Sequence, residues 1–166
     1  RQACEAEFQK LADHIEADVA ELPGGSVVQL VRRGYALLHW AGAHPALYRI
    51  LFMGTRRTAI VTETSLSDDP SLRALAANIE SAVADGLIKP QNVQLLTLSL
   101  WGTVHGFASL TVSFRHIPVP VVELGMVTAW LPLLRSLLTP LGLQHYEQMH
   151  SSPVDETSQN AGADRP

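Results

Sequence analysis

Residues 89–115 read KPQNVQLLTLSLWGTVHGFASLTVSFR, and between Lys89 and Arg115 twenty-five consecutive positions carry no Asp, Glu, Lys or Arg. By length alone such a run could cross a bilayer. Its polar content argues otherwise: Gln91, Asn92, Gln94, Thr97, Ser99, Thr103, His105, Ser109, Thr111 and Ser113 would have to face lipid. The favoured reading is a helix from Pro90 to about Phe114, buried on most of its circumference because it serves both a domain core and a subunit interface. Alternation within 96–100 and 111–114 would also suit short strands, but no hairpin signal is present to pair them.

Downstream, Ile117-Pro118-Val119-Pro120 is expected to be extended, since each proline restricts the residue before it. A last helix over about 121–138 then puts Leu124, Val127, Leu131, Leu134 and Leu138 at spacings of three and four, a heptad-like seam interrupted by Pro132. After Gly142 the composition turns polar, and residues 143–166 are expected to form a disordered tail. Upstream, Asp69-Pro70 is an N-cap and first-turn signal for a helix striped by Leu72, Leu75, Ile79 and Val83 and stopped at Gly86. Three more helices are expected over 2–22, 26–43 and 45–53, broken at Pro23-Gly24-Gly25 and His44-Pro45, while 55–66 stays undecided. The expectation is one all-α domain of six helices over residues 1–142.

Composition limits what this domain does. Of 166 residues 46% are hydrophobic and 17% charged, and a net charge of −4 offers no general basic surface for phosphates. The single cysteine, Cys4, rules out an intramolecular disulfide and a CxxC site, which suits an intracellular, cytoplasmic setting. No leader follows Arg1, and the chain is expected to begin within a longer protein. The histidine pairs 39/44 and 145/150 are five apart, on different helix faces, so no metal site is expected, nor any cofactor. GxSxG and phosphate-loop patterns are absent. Arg56-Arg57 could hold an anion, although paired arginines on a turn are usually only solvated. Trp101 and His105 are four apart on one helix face beside Gly106, where they either line a pocket or pack in the core with the imidazole bonded to a facing carbonyl.

Two segments carry a resemblance: His44-Pro45-Ala46-Leu47-Tyr48-Arg49-Ile50-Leu51-Phe52-Met53 and Leu100-Trp101-Gly102-Thr103-Val104-His105-Gly106-Phe107-Ala108. In this order and separation, residues 1–142 resemble the C-terminal half of a tetracycline-repressor (TetR) family regulator, of the type named for a Trp-His-Gly signature. The resemblance implies a homodimeric transcriptional regulator without catalytic activity. A small, lipophilic effector would bind between the second to fifth helices, with Trp101, His105, Phe52, Met53, His39 and Ile79 as its expected wall. The last two helices would form a four-helix dimer interface through Phe107, Leu110, Leu124, Val127, Leu131 and Leu134. Residues 1–22 would be the helix connecting to a helix-turn-helix domain upstream, through which alone operator DNA is bound. Two other functions fit the residues: a helical-bundle enzyme using His105 as base, and a structural dimerisation module without ligand.

Overall fold

Helix α2 (Ser26–Ala43) runs through the middle of the molecule because apolar residues cover most of its surface, leaving Arg32 and His39 outward. Val27, Leu30, Leu37, Leu38 and Ala41 are all buried on it. Around it pack α1 (Gln2–Ala20), α3 (Pro45–Tyr48) with the π turn that continues it (Arg49–Met53), α4 (Pro70–Ala84), α5 (Val93–Ser113), α6 (Val119–Leu137) and α7 (Pro140–Ser151). The computed structural model describes residues 2–20, 26–53, 69–114 and 116–151. The all-α expectation holds, with seven helices rather than six among the described residues.

The capping chemistry explains the boundaries. Asp69 accepts the Ser71 amide at 2.9 Å and Pro70, which needs no donor partner, occupies the first turn of α4. Gly86 ends that helix at φ +70°, where its amide reaches the Val83 carbonyl and the Leu87 amide the Ala82 carbonyl. For α5 the cap is Asn92, whose side chain accepts the Leu95 amide at 3.0 Å, so the helix opens at Val93 and not at Pro90. Helix α6, by contrast, begins earlier than expected, at Val119: Pro118 is its N-cap and Pro120 lies in the first turn, where a missing amide hydrogen costs nothing. The proline-rich connector is therefore half helix. Pro132 sits inside α6 without ending it.

The domain also extends past 142. Leu138 leaves α6 in an extended conformation and forms a single antiparallel bridge with Ile88, with Lys89 N donating to Leu137 O (2.9 Å) and Thr139 N to Leu87 O (3.0 Å). The Thr139 hydroxyl then accepts the Gly142 amide at 3.1 Å, and Pro140 starts α7. Residues 143–151, expected as tail, are thus helical, and Tyr146 is buried in the core. Thr139-Pro140 repeats the Asp69-Pro70 signal; the polar average over 143–166 masked it. The expected tail beyond 151, the break at 23–25, Cys4's side chain and the Arg56-Arg57 turn lie outside the described residues or side chains.

Candidate functional site

Tyr48 and Phe52, four residues apart at the end of α3 and in its π turn, meet Trp101 and His105, four apart on α5. Around the His105 ring the centroids of Trp101, Phe52 and Tyr48 lie at 4.0, 4.4 and 5.8 Å. The Tyr48 hydroxyl is 3.1 Å from the His105 carbonyl and 2.9 Å from His105 Nδ1. A phenol has one proton, so the pair closes when the hydroxyl donates to the carbonyl and Nδ1–H donates back to the phenolic oxygen. Burial pushes the Tyr48 phenol well above its ordinary pKa, because a phenolate there would lose its water. Arg49 donates to the Val112 carbonyl at 2.5 Å, satisfying one of the last carbonyls of α5 and pinning the π turn to it. His105 is thus a joint between α3 and α5.

Trp101 faces two ways. Beyond it lies a cavity of about 40 Å³ between α1, α2, α4, α5 and α6, walled by apolar groups such as Leu37, Leu75, Leu100 and Val104 and by the ring of Trp130. Its shape depends on Gly34: a Cβ there would sit 2.7 Å from Trp130 Cζ3 and 2.9 Å from Cη2. Trp130 is 5% exposed, and neither its indole N–H nor the buried one of Trp101 meets an acceptor among the described residues.

One charged group borders the cavity. The Arg33 side chain is only 12% exposed; its two terminal nitrogens donate to Glu16 Oε1 and Oε2 at 2.5 and 3.0 Å, and Nε donates to Asn78 Oδ1 at 3.3 Å. This fork ties α1, α2 and α4 together and separates the apolar cavity from an open polar groove of about 400 Å³ bounded by Gln9, Glu16, Gln29, Asn78 and Ser81. An arginine is tolerated this far from solvent because α1 supplies its counter-charge.

The expected ligand wall therefore divides. Trp101, His105 and Phe52 converge, but only Trp101 lines the cavity. Ile79 is fully buried in the core, Met53 is 48% exposed, and His39 faces outward, bonded to Glu123 of α6. Trp130, Gly34 and Arg33 were missed. Trp130 was legible in principle, since it follows Val122 and Met126 at intervals of four on one face of α6.

The residues expected at the subunit interface also divide. Leu134 is 2% exposed within its own chain, and Phe107 packs over Gly125, where a Cβ would stand 3.0 Å from its ring. Val127 and Leu131 are half-buried, whereas Leu110 and Leu124 are exposed. A period of 3.5 drifts around a 3.6-residue helix, so one seam is shared between two faces.

Known proteins bear directly on this architecture. The sequence matches the family described as tetracyclin repressor-like, C-terminal domain, over residues 30–123. A solved structure of a protein with unknown function from Rhodococcus sp. RHA1 superposes with a TM-score of 0.67 at 22% identity, covering 82% of this chain and 71% of that one, so the fold is shared. No curated protein matches. The family match spans α2 to the start of α6 and so takes in both the aromatic joint and most of the cavity: the chain belongs to the tetracyclin repressor-like C-terminal domains.

Proposed function

We propose that this domain is the effector-sensing and dimerising part of a cytoplasmic TetR-type transcriptional repressor of the Trp-His-Gly type. Its effector is small and lipophilic, and α1 joins it to a helix-turn-helix domain that binds operator DNA. The observation that carries the reading is the double-sided character of α5 and α6. Leu96, Leu100, Val104, Ala108 and Val112 of α5 are buried in the chain's own core, yet Leu95, Leu98 and Leu110 on the same helix, and Phe114 at its C-cap, are exposed. On α6, Val122, Met126 and Trp130 are buried while Val121 and Leu124 are exposed, Leu124 by 67%. An exposed apolar surface on two adjacent helices is what a symmetric four-helix interface covers.

Two glycines support this. Gly102 and Gly106 lie on the outward side of α5, where an added Cβ would meet nothing within 4 Å of its own chain. A glycine inside a helix costs about 1 kcal/mol relative to alanine, so close approach by a partner gives these two a reason that packing within the chain does not. Both helices are also long and apolar enough to cross a membrane by length and composition. Their contacts with each other and with α2, and the hydroxyls of Ser99 and Thr103 on the exposed side of α5, suit a protein interface better.

Signalling follows from the walls of the cavity. Ile15 of α1 borders it, and the Glu16–Arg33 fork holds α1 against α2. An effector acts only by preferring the sensor state in which α1 is displaced, and with it the spacing of the two DNA-binding heads in the homodimer. Sedimentation velocity on this chain tests the dimer. On the whole regulator, operator binding measured with and without lipophilic compounds tests the switch. A monomer at micromolar concentration, or operator binding indifferent to every compound that raises Tm, overturns the reading.

A further inference from the structure

We propose that the Arg33 fork and the cavity beside it form one site for a compact, apolar monocarboxylate, whose carboxylate replaces that of Glu16 on Arg33 and whose body takes the wall position of Ile15. This rests on the sensor reading above and names both the chemistry of its effector and the contact that the effector breaks. Arg33 borders the apolar cavity and the open groove alike; Ile15 of α1 lines the first, and its neighbour Glu16 lines the second. Withdrawing this turn of α1 therefore vacates an apolar place and an anionic one side by side.

The charges divide by helix. Asp13 and Glu16, the acidic residues bordering the groove, both belong to α1, whereas the ionic residue on the α2 and α4 side is Arg33. Helix α1 is thus a tethered anion held against a cation of α2. The two partners are unequally bound to the site: the Glu16 side chain is 48% exposed and returns to water at little cost, but the Arg33 side chain is 12% exposed and needs a counter-charge where it stands. Asn78 of α4, 7% exposed, holds Nε, so the two terminal nitrogens serve whichever carboxylate is present. One guanidinium balances one carboxylate; two together would leave an uncompensated charge, so ligand and Glu16 exclude each other. The other ion pair between α1 and α2, Arg32–Asp18 at 3.7 Å, is well exposed and adds little to hold α1 in place.

The end of Arg33 is already matched to a planar carboxylate, with bonds of 2.5 and 3.0 Å to the two oxygens of Glu16. A phosphate would bring a second charge, with no further cation bordering the groove among the described residues to meet it. The body is apolar because Leu37, Leu75, Leu100 and Val104 offer it no polar partner. It is compact because the cavity, at about 40 Å³, holds only about two or three waters until Ile15 withdraws.

The test is calorimetric titration of this chain with cyclohexanecarboxylate, its uncharged isostere cyclohexanecarboxamide, acetate and inorganic phosphate. The ring carboxylate is expected to bind at least about tenfold more tightly than the other three. Glu16→Gln, which removes the competing charge, strengthens the carboxylate at least about tenfold and the carboxamide by less than about threefold. Arg33→Met abolishes the advantage of carboxylate over carboxamide, and Arg32→Met leaves it unchanged. Hydrogen exchange supplies a readout that a merely structural ion pair would not move: the carboxylate speeds exchange of the α1 amides over 11–20, and the carboxamide at the same concentration does not.

If Arg33→Met does not fold, Arg33→Lys, which loses the fork, serves in the same comparison. Equal affinity for carboxylate and carboxamide, a carboxylate that Glu16→Gln does not strengthen, tighter binding of phosphate, or carboxylate binding that leaves α1 exchange unaltered overturns the proposal, as does a carboxylate that binds neither the unaltered chain nor Glu16→Gln. A monomeric chain in which the carboxylate still competes with Glu16 upholds this site and means that the sensor reading has failed.

Discussion

Replacing Gly34 by alanine is expected to destabilise the chain only while Trp130 is intact, and to stabilise it when that ring is shortened. The new methyl would stand 2.7 Å from Cζ3 and 2.9 Å from Cη2 of Trp130. Carbon contacts are most favourable at about 3.5–4.0 Å, so a ring packed in the core must retreat by on the order of 1 Å. Overpacking of this kind costs about 1–3 kcal/mol. Against it stands the gain of about 1 kcal/mol for alanine over glycine in a helix interior, so Gly34→Ala alone should lose about 0–2 kcal/mol. Phenylalanine at position 130 lacks both clashing atoms, and only Val104 Cγ2, at 3.3 Å, stays slightly tight. In that background the alanine should add about 0.5–1 kcal/mol through its helix propensity. Urea unfolding of the four proteins, at one protein concentration because dimerisation would contribute, gives a coupling of about 1–3 kcal/mol. If the four stabilities add within about 0.5 kcal/mol, Gly34 and Trp130 do not share the space described.

Three further outcomes follow from the same geometry. Gly142→Ala puts a Cβ 2.0 Å from the Leu87 carbonyl oxygen, a backbone atom held in the Ile88–Leu138 bridge, and should cost more than about 3 kcal/mol or prevent folding, as read by thermal unfolding. Leu124→Lys, at a position 67% exposed in the single chain, should leave helix content unchanged in circular dichroism and shift the sedimentation coefficient to that of a monomer; a folded dimer would refute the interface. Stability should also fall as pH rises above about 10: the Tyr48 phenol keeps its proton in the folded state where the unfolded chain has lost it, so its contribution is complete below the unfolded value and disappears above it. Tyr48→Phe should reduce the slope of that part of the pH–stability curve, with Tyr35 and Tyr146, whose phenols burial also raises, keeping the remainder; denaturant titrations between pH 8 and 11 measure it directly.

Local signals in the sequence carried much of the fold. Asp69-Pro70 and Gly86 bounded α4 correctly because each acts through one or two neighbouring amides. The same physics made Thr139-Pro140 readable, but averaging over a polar segment hid it. Asn92 shifted the start of α5 by a few residues because a capping side chain, not the proline before it, decides which amide is satisfied first.

By itself the sequence determined the helical class, the break at His44-Pro45, the apolar character of α5 around most of its surface and the pairing of Trp101 with His105, all set by periods of three to four residues and by turn chemistry. Tertiary structure alone decided that Arg33 is buried against Glu16, that Gly34 makes room for Trp130, that His39 belongs with Glu123 and not with the cavity, and that Leu134 faces inward while Leu124 faces out. Each of these depends on a partner dozens of residues away or on the rotational setting of a whole helix. Periodicity along one chain segment says which residues share a face, and only packing against the other helices says what that face meets.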